Sequence, residues 1–232
     1  MEIEICLEEP ETAVLADQSG AKRIELCSAL DLGGLTPSFG LIQTCVTQCD
    51  LEVFVMIRPR GGDFVYSAEE LAIMEADLVA EKNAGAHGVV FGCLTEKNEL
   101  DLAANRTLIQ KSKELGLGTT FHRAFDFCTQ PEKSLFDLID MGFDRLLTSG
   151  QKPRAIDGID LIKKLVRIAE DRIQIMAGSG VNAENAFMLS ATGIHAIHFT
   201  ARKPVSLEDP LNMGLKYIPD PEKIKQIIHA IS

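Results

Sequence analysis

A few short strings in the chain carry side chains able to do chemistry. Glu2-Ile-Glu-Ile-Cys6 and Arg23-Ile-Glu-Leu-Cys27 each place a carboxylate two residues before a thiol. Thiolates favour soft metal ions, and a carboxylate beside them can accept or donate a proton. Thr119-Thr-Phe-His-Arg123 and Ala196-Ile-His-Phe-Thr200 contribute His122 and His198, whose imidazoles exchange protons nearest to neutrality. Arg58-Pro-Arg-Gly-Gly-Asp63 sets the guanidinium forks of Arg58 and Arg60 on either side of a proline, an arrangement suited to carboxylate or phosphate. Met176-Ala-Gly-Ser-Gly-Val181 runs into Asn182 and a helical pattern, so free N–H groups around Gly178, Ser179 and Gly180 face an anion where a helix begins. Leu147-Thr-Ser-Gly-Gln151 adds Ser149 as a further small hydroxyl. Tight turns also use glycine for steric reasons alone, and a histidine can serve as a hydrogen-bonded wall residue, so each string carries weight only in company.

The elements that position these residues form a regular alternation. Strands are expected at Glu2–Cys6, Arg23–Cys27, Glu52–Arg58, Gly88–Phe91, Thr119–Arg123, Arg145–Thr148, Arg172–Ala177 and Ala196–Thr200. Helical spacing fills the intervals, for example Ala68–Ala84, Asp101–Leu115, Pro131–Met141, Gly158–Glu170 and Ala183–Ser190. Eight such units in 232 residues give about 29 residues each, a length that suits a βα module. Gly20, Gly85, Gly116, Gly142 and Gly193 each close a helical pattern shortly before a strand, where a left-handed cap is expected. The expected class is α/β, a (β/α)8 barrel in one domain, with a doubly wound open sheet as runner-up. No GxGxxG turn follows the first strand, which counts against the open sheet.

Strand parity sorts the side chains. Ile3 and Ile5, Ile24 and Leu26, and Val53, Val55 and Ile57 should pack beneath helices. Glu4, Cys6, Glu25, Cys27 and Arg58 then point inward, with Arg23 on the same face of its strand as Glu25 and Cys27, and Thr120, His122, His198 and Thr200 join them. Barrel sites form at the carboxyl ends of strands, and buried charges need partners; Glu25 with Arg58 is the expected internal ion pair. Cys45 and Cys49 stand four apart on a helix, with no histidine or third cysteine nearby to complete a metal site.

Composition narrows the partners. The chain has 34 acidic and 23 basic residues, a net charge of −11, and no basic stripe, which argues against nucleic acid. No basic leader and no run of about 18 apolar residues suggest a membrane span. Six cysteines without a CxxC suit reduced thiols, and a soluble, cytoplasmic protein is expected.

Taken together, Ile24-Glu-Leu-Cys27, Gly33-Gly-Leu-Thr-Pro-Ser38, Met56-Ile-Arg-Pro-Arg-Gly-Gly-Asp-Phe64, Thr120-Phe-His-Arg-Ala-Phe-Asp126, Leu147-Thr-Ser-Gly150 and Met176-Ala-Gly-Ser-Gly-Val181 closely resemble the CutC family, named for copper homeostasis. The resemblance runs to about Arg202, while residues 203–232, with Asn212-Met-Gly214 and a last helix at Asp220–Ile231, match poorly. It implies a TIM barrel, a cytoplasmic setting, a homo-oligomer (dimer or tetramer), and Cu(I) held by the thiols of Cys6 and Cys27. It implies no organic cofactor. The eighth strand departs from the family pattern, reading His198-Phe-Thr-Ala201 where His-x-Ser-Ala is usual.

Two functions follow from these residues, besides a barrel that merely binds a partner at its rim. One is Cu(I) binding by Cys6 and Cys27. The other is an enzyme for a small anionic or phosphorylated substrate, with Arg58, Arg60, Ser149, Gly178, Ser179 and Gly180 holding the anion. There His122 is the general acid or base, Glu25 or Asp126 orients it or acts as a second base, and Cys27 is a nucleophile if Arg58 lowers its pKa.

Overall fold

Short runs of β-branched and aliphatic residues form eight parallel strands: β1 (Glu2–Leu7), β2 (Arg23–Leu26), β3 (Glu52–Met56), β4 (Gly88–Phe91), β5 (Gly118–Phe121), β6 (Arg145–Thr148), β7 (Gln174–Gly178) and β8 (Ala196–Thr200). In this computed structural model, which describes residues 1–205 and 215–231, each strand pairs with the next and β8 pairs with β1, closing the barrel. Helices α1 (Pro10–Gln18), α2 (Phe39–Gln48), α3 (Ala68–Asn83), α4 (Leu102–Glu114), α5 (Pro131–Met141), α6 (Ile159–Ala169) and α7 (Ala183–Ser190) follow successive strands. After β8 an antiparallel pair, β9 (Arg202–Val205) and β10 (Lys216–Pro219), precedes α8 (Pro221–Ile231). Asn212–Gly214 lies outside the described residues.

The helices start where their sequences say they should. Ser67 and Glu70 form a reciprocal capping box on α3, Asp101 accepts the first N–H groups of α4, and proline opens α1 and α5. All five cap glycines adopt positive φ, from 65° at Gly116 to 97° at Gly85, as the turn from helix to strand requires. Because each helix runs antiparallel to its strand, helix starts and strand ends share the carboxyl rim. Three strands end sooner than expected, β2 by one residue at Leu26 and two others by two. β3 stops at Met56 and β5 at Phe121, so Arg58 and His122 lie in rim loops. The Arg58 N–H donates to Thr36 Oγ1 at 2.9 Å, ahead of Pro59, which has no N–H to continue a ladder.

Parity holds inside the barrel. Ile5, Ile24, Leu26, Val53 and Val55 are buried in the layer beneath the helices, while Glu4, Arg23, Glu25 and His198 are buried on the axis side. At the amino-terminal end Phe54 fills the axis, with the Arg145 and Arg23 guanidiniums 4.6 and 5.5 Å from its ring centroid. Gly88 and Gly118 make room for it, since a Cβ there would come within 2.1 and 2.8 Å of the ring.

Candidate active site at the carboxyl rim

Above Phe54 the axis carries a continuous polar chain. Register sets Glu4 between Arg23 on β2 and His198 on β8. Arg23 Nε donates to Glu4 Oε2 at 2.6 Å, and Glu4 Oε1 lies 2.8 Å from His198 Nδ1. His198 Nε2 in turn faces Glu25 Oε2 at 3.6 Å, and the Cys27 thiol donates to the same oxygen at 3.7 Å. Gly178 sits opposite His198 in register, and a Cβ there would press on Leu147 at 2.7 Å and on the imidazole at 3.0 Å.

Charge in this chain is set by neighbours rather than by burial alone. Burial acts to neutralise His198, but the Glu25 charge and hydrogen bonds to Cys6 and Glu4 outweigh it, raising its pKa well above the ordinary value. With carboxylates at both ring nitrogens, His198 is an imidazolium. Burial likewise acts against the Glu4 carboxylate, and His198 and Arg23 overcome it, holding Glu4 ionised. Glu25 has no such excess of cations. Burial raises its pKa, the His198 charge opposes this and the Glu4 charge adds to it, so Glu25 exchanges its proton closer to neutrality than a free glutamate.

A cavity of about 610 Å³ opens on this chain from the carboxyl rim. Cys6, Glu25 and His198 form one side; Arg58, Phe64, His122 and Gly180 are also in its wall. Within a chain of net charge −11, its wall also includes Arg123, Arg202 and Lys223. Four wall residues, Glu25, Arg58, His122 and Thr200, have a buried polar atom with no partner among the described residues: Oε1, Nε, Nε2 and Oγ1. Buried polar atoms are seldom left so, and a cluster of them marks where a ligand or water completes the bonding.

The structure separates the expected site residues into two groups. Glu25, Arg58, His122, Ser179, Gly180 and Cys6 meet at the cavity. Arg60 turns away to Glu70, Asp63 and the Val65 carbonyl. Ser149 and Asp126 bond to one another: Asp126 accepts from the Thr148 and Ser149 hydroxyls, the Ser149 and Gln151 N–H groups and Arg123 Nε, pinning the loop after β6. Gly178 is a packing glycine against His198. The helix start is also self-satisfied, since Asn182 accepts from the Glu184 and Asn185 N–H groups.

The expected Glu25–Arg58 ion pair does not form. Glu25 is level with Phe54 on β3, so Arg58 lies four residues further along the chain, past the strand end. Its guanidinium instead donates to the carbonyls of Leu32 at 2.8 Å, Gly34 at 3.1 Å and Gly62 at 2.9 Å. It is a buried cation with carbonyl partners and, among the described residues, no carboxylate partner. His122 also differs from expectation. Burial first, then the Arg58 charge, pushes its pKa down to about 3, and its Nδ1 accepts from the Ala124 N–H at 3.3 Å. The neutral ring therefore carries its proton on Nε2 and offers a donor rather than a base.

The thiols divide too. Cys6 is in the cavity wall, whereas Cys27 is fully buried behind it, and Gly34 leaves the space its sulfur fills. A hydrogen bond with Cys27, then burial, holds Cys6 well above the usual thiol range. For Cys27 the hydrogen bond from Cys6 lowers the pKa, but burial and the Glu25 charge outweigh it and push it to about 11. Cys6 Sγ, Cys27 Sγ and a Glu25 oxygen lie within 4.8 Å of one another, as do donor atoms of Glu4, Glu25 and His198. Cys45 is buried in α2 and Cys49 caps it, its thiol donating to the Cys45 carbonyl at 3.1 Å.

The model of the CutC family matches residues 1–203. The chain belongs to the CutC family. A family protein CutC from Pasteurella multocida is 47% identical over 203 residues, covering 87% of this chain and 82% of that protein. Another, from Glaesserella parasuis, is 44% identical and covers 100% of this chain and 99% of its own. A crystal structure assigned by name to copper homeostasis, CutC from Streptococcus agalactiae, superposes with a TM-score of 0.80 at 37% identity, covering 86% of this chain and 98% of that one. The barrel itself is shared more widely: 3-hexulose-6-phosphate synthase matches with a TM-score of 0.63 at 15% identity over 100% of both chains, a likeness of fold alone. Among the described residues no helix is long and apolar enough to cross a membrane.

Glu4 and His198 are the members of the site that residue types alone did not assign. Parity placed both inside the barrel, and what residue types did not give is the register that sets Glu4 level with His198 where β8 closes onto β1.

Proposed function

We propose that this CutC family chain is an enzyme that moves a proton on a small anionic metabolite bound in the rim cavity. The observation that carries this reading is the set of unpartnered buried atoms on Glu25, Arg58, His122 and Thr200, all in residues of one cavity wall. Arg58 and the His122 Nε2–H supply the positive charge and a neutral donor for the anion. Gly180 and Val181 form part of the same wall. Glu25 takes a proton from the substrate and returns it, while the His198 imidazolium stabilises the charge that develops. The protein works in the cytoplasm on this reading, where its six free cysteines stay reduced.

The test is isotope wash-in. Small phosphorylated and carboxylated metabolites are incubated with the protein in D2O and examined for deuterium on carbon by mass spectrometry. Wild type incorporates it with at least one compound and Glu25→Gln does not; incorporation unaffected by Glu25→Gln removes Glu25 from the chemistry.

A second reading, Cu(I) cargo, is favoured by one specific observation: two sulfurs and a carboxylate oxygen within 4.8 Å of one another. Paired thiolates fit a soft ion. Burial and the adjacent Glu25 oppose formation of those thiolates, and the rest of the cavity wall has no part in holding a metal. An anaerobic Cu(I) titration against a competing chelator decides it. Tight binding of one copper, lost in Cys6→Ser/Cys27→Ser, supports the thiolate site, and weak binding or binding that survives the substitutions dismisses it.

A further inference from the structure

Lys223 lies beyond residues 1–203, the part that matches the family model, yet it is part of the cavity wall. Topology puts it there. α8 buries Ile224 and Ile227 against the barrel, and its first turn, like those of the other helices, sits at the carboxyl rim. The approach to α8 is fastened to the same rim. The Asp220 N–H donates to the Ala201 carbonyl at 2.8 Å, and the Tyr217 hydroxyl donates to Asp31 at 3.1 Å. Arg202 lies 3.8 Å from the Tyr217 ring centroid and reaches Glu8 at 3.1 Å and Asp31 at 2.7 Å.

The cations near this part of the wall are therefore not equivalent. Arg202 is matched by two carboxylates, and Arg123 is matched by Asp126. The Lys223 ammonium makes no hydrogen bond or ion pair with any described residue. Only its backbone N–H is engaged, donating to Asp220 Oδ1 at 3.3 Å. It also sits in the first turn of α8, the end of the helix where its dipole repels a cation. Burial lowers its pKa, with Asp220 opposing the shift and Arg202 adding to it. A half-buried ammonium at the positive end of a helix, beside another cation, is an unfavourable placement that an anion in the cavity would reverse.

We propose that Lys223 is a specificity-determining residue that receives a second anionic group of the substrate, so the cavity selects a small dianion anchored at Arg58 and at Lys223. This rests on the reading of the cavity as a small-anion site. A volume of about 610 Å³ accommodates a compact dicarboxylate or phosphorylated carboxylate. Lys223 touches substrate without entering the proton transfer.

The experiment is calorimetric titration of the full chain with succinate, with succinamate, which has the same length and one charge fewer, and with phosphoglycolate. Wild type binds succinate and phosphoglycolate, each with two anionic groups, about tenfold more tightly than succinamate. Lys223→Met brings that ratio close to one, and Lys223→Arg restores the preference. A ratio that Lys223→Met leaves intact, in a protein whose binding of all three compounds is lost in Arg58→Met, overturns the role of Lys223 and keeps the anion site. Failure of wild type to bind either succinate or phosphoglycolate at millimolar concentration overturns both.

Discussion

His198 Nδ1 lies 2.8 Å from Glu4 Oε1 in the middle of the barrel, and that contact, between residues 194 apart in sequence, joins the Glu25 charge and the Cys6 hydrogen bond in keeping the imidazole charged. Arg23 holds Glu4 ionised through its other oxygen, and the imidazole keeps its second proton and presents Nε2 to Glu25. The same barrel holds His122, buried against Arg58 and neutral, so the two histidines have opposite charge states at neutral pH.

This difference is measurable. Ring 15N shifts followed from pH 5 to 8 should show His198 protonated and His122 neutral throughout, neither titrating near 6.5. Linkage gives the matching stability profile. The depressed pKa of His122 contributes stability that is full above 6.5 and falls away as pH drops towards about 3. The raised pKa of His198 contributes stability that is full below 6.5 and is lost only as pH rises through its higher folded value. An ordinary midpoint for either ring contradicts the assignment.

Asp126 gathers the loop after β6 through bonds from Thr148, Ser149, Gln151 and Arg123. Asp126→Ala leaves several of these donors without a partner and should cost about 2–4 kcal/mol in urea unfolding. Unchanged stability would return Asp126 to the list of groups free to act on a substrate.

The Phe54 ring occupies the space a Cβ would need at Gly88, 2.1 Å away. Gly88→Ala should therefore destabilise by about 3 kcal/mol, at the upper end for overpacking. Gly88→Ala with Phe54→Leu should recover part of that loss, and a strictly additive double variant would show that the ring does not set the constraint.

Glu81 on α3 is buried with Oε2 unpartnered, and burial, then Asp77, push its pKa up to about 8. A raised carboxyl gives stability that is full below about 4.5 and lost as pH rises through about 8. Glu81→Gln should raise Tm by about 2–4 °C at pH 8, the equivalent of about 1 kcal/mol, and by less at pH 5. An equal change at both pH values would mean that the carboxyl does not titrate in that range.

Much of the barrel was legible in the sequence because alternation along strands and glycine after helices are local signals. The inward set Glu4, Arg23, Glu25 and His198 follows from parity alone, as does burial of Ile24 and Leu26. Partner choice did not follow, because it depends on register between strands far apart in sequence. Glu25 is level with Phe54, so the nearer-looking Arg58 is out of its reach and His198 takes its place. Arg60 and Ser149 carry the right groups, but Glu70 and Asp126 claim them. Lys223 had no motif to announce it, and only the closing helix brings it to the rim.

The central claim, that this rim is built for a small anion, is tested most directly by thermal-shift screening of small phosphorylated and carboxylated metabolites. Wild type, Arg58→Met and Cys6→Ser/Cys27→Ser are compared side by side, each first shown to be folded. The account predicts compounds that stabilise wild type and the double cysteine variant alike and lose their effect in Arg58→Met. Stabilisation that survives Arg58→Met but vanishes with the two thiols, or no stabilisation of wild type by any anion, would contradict it.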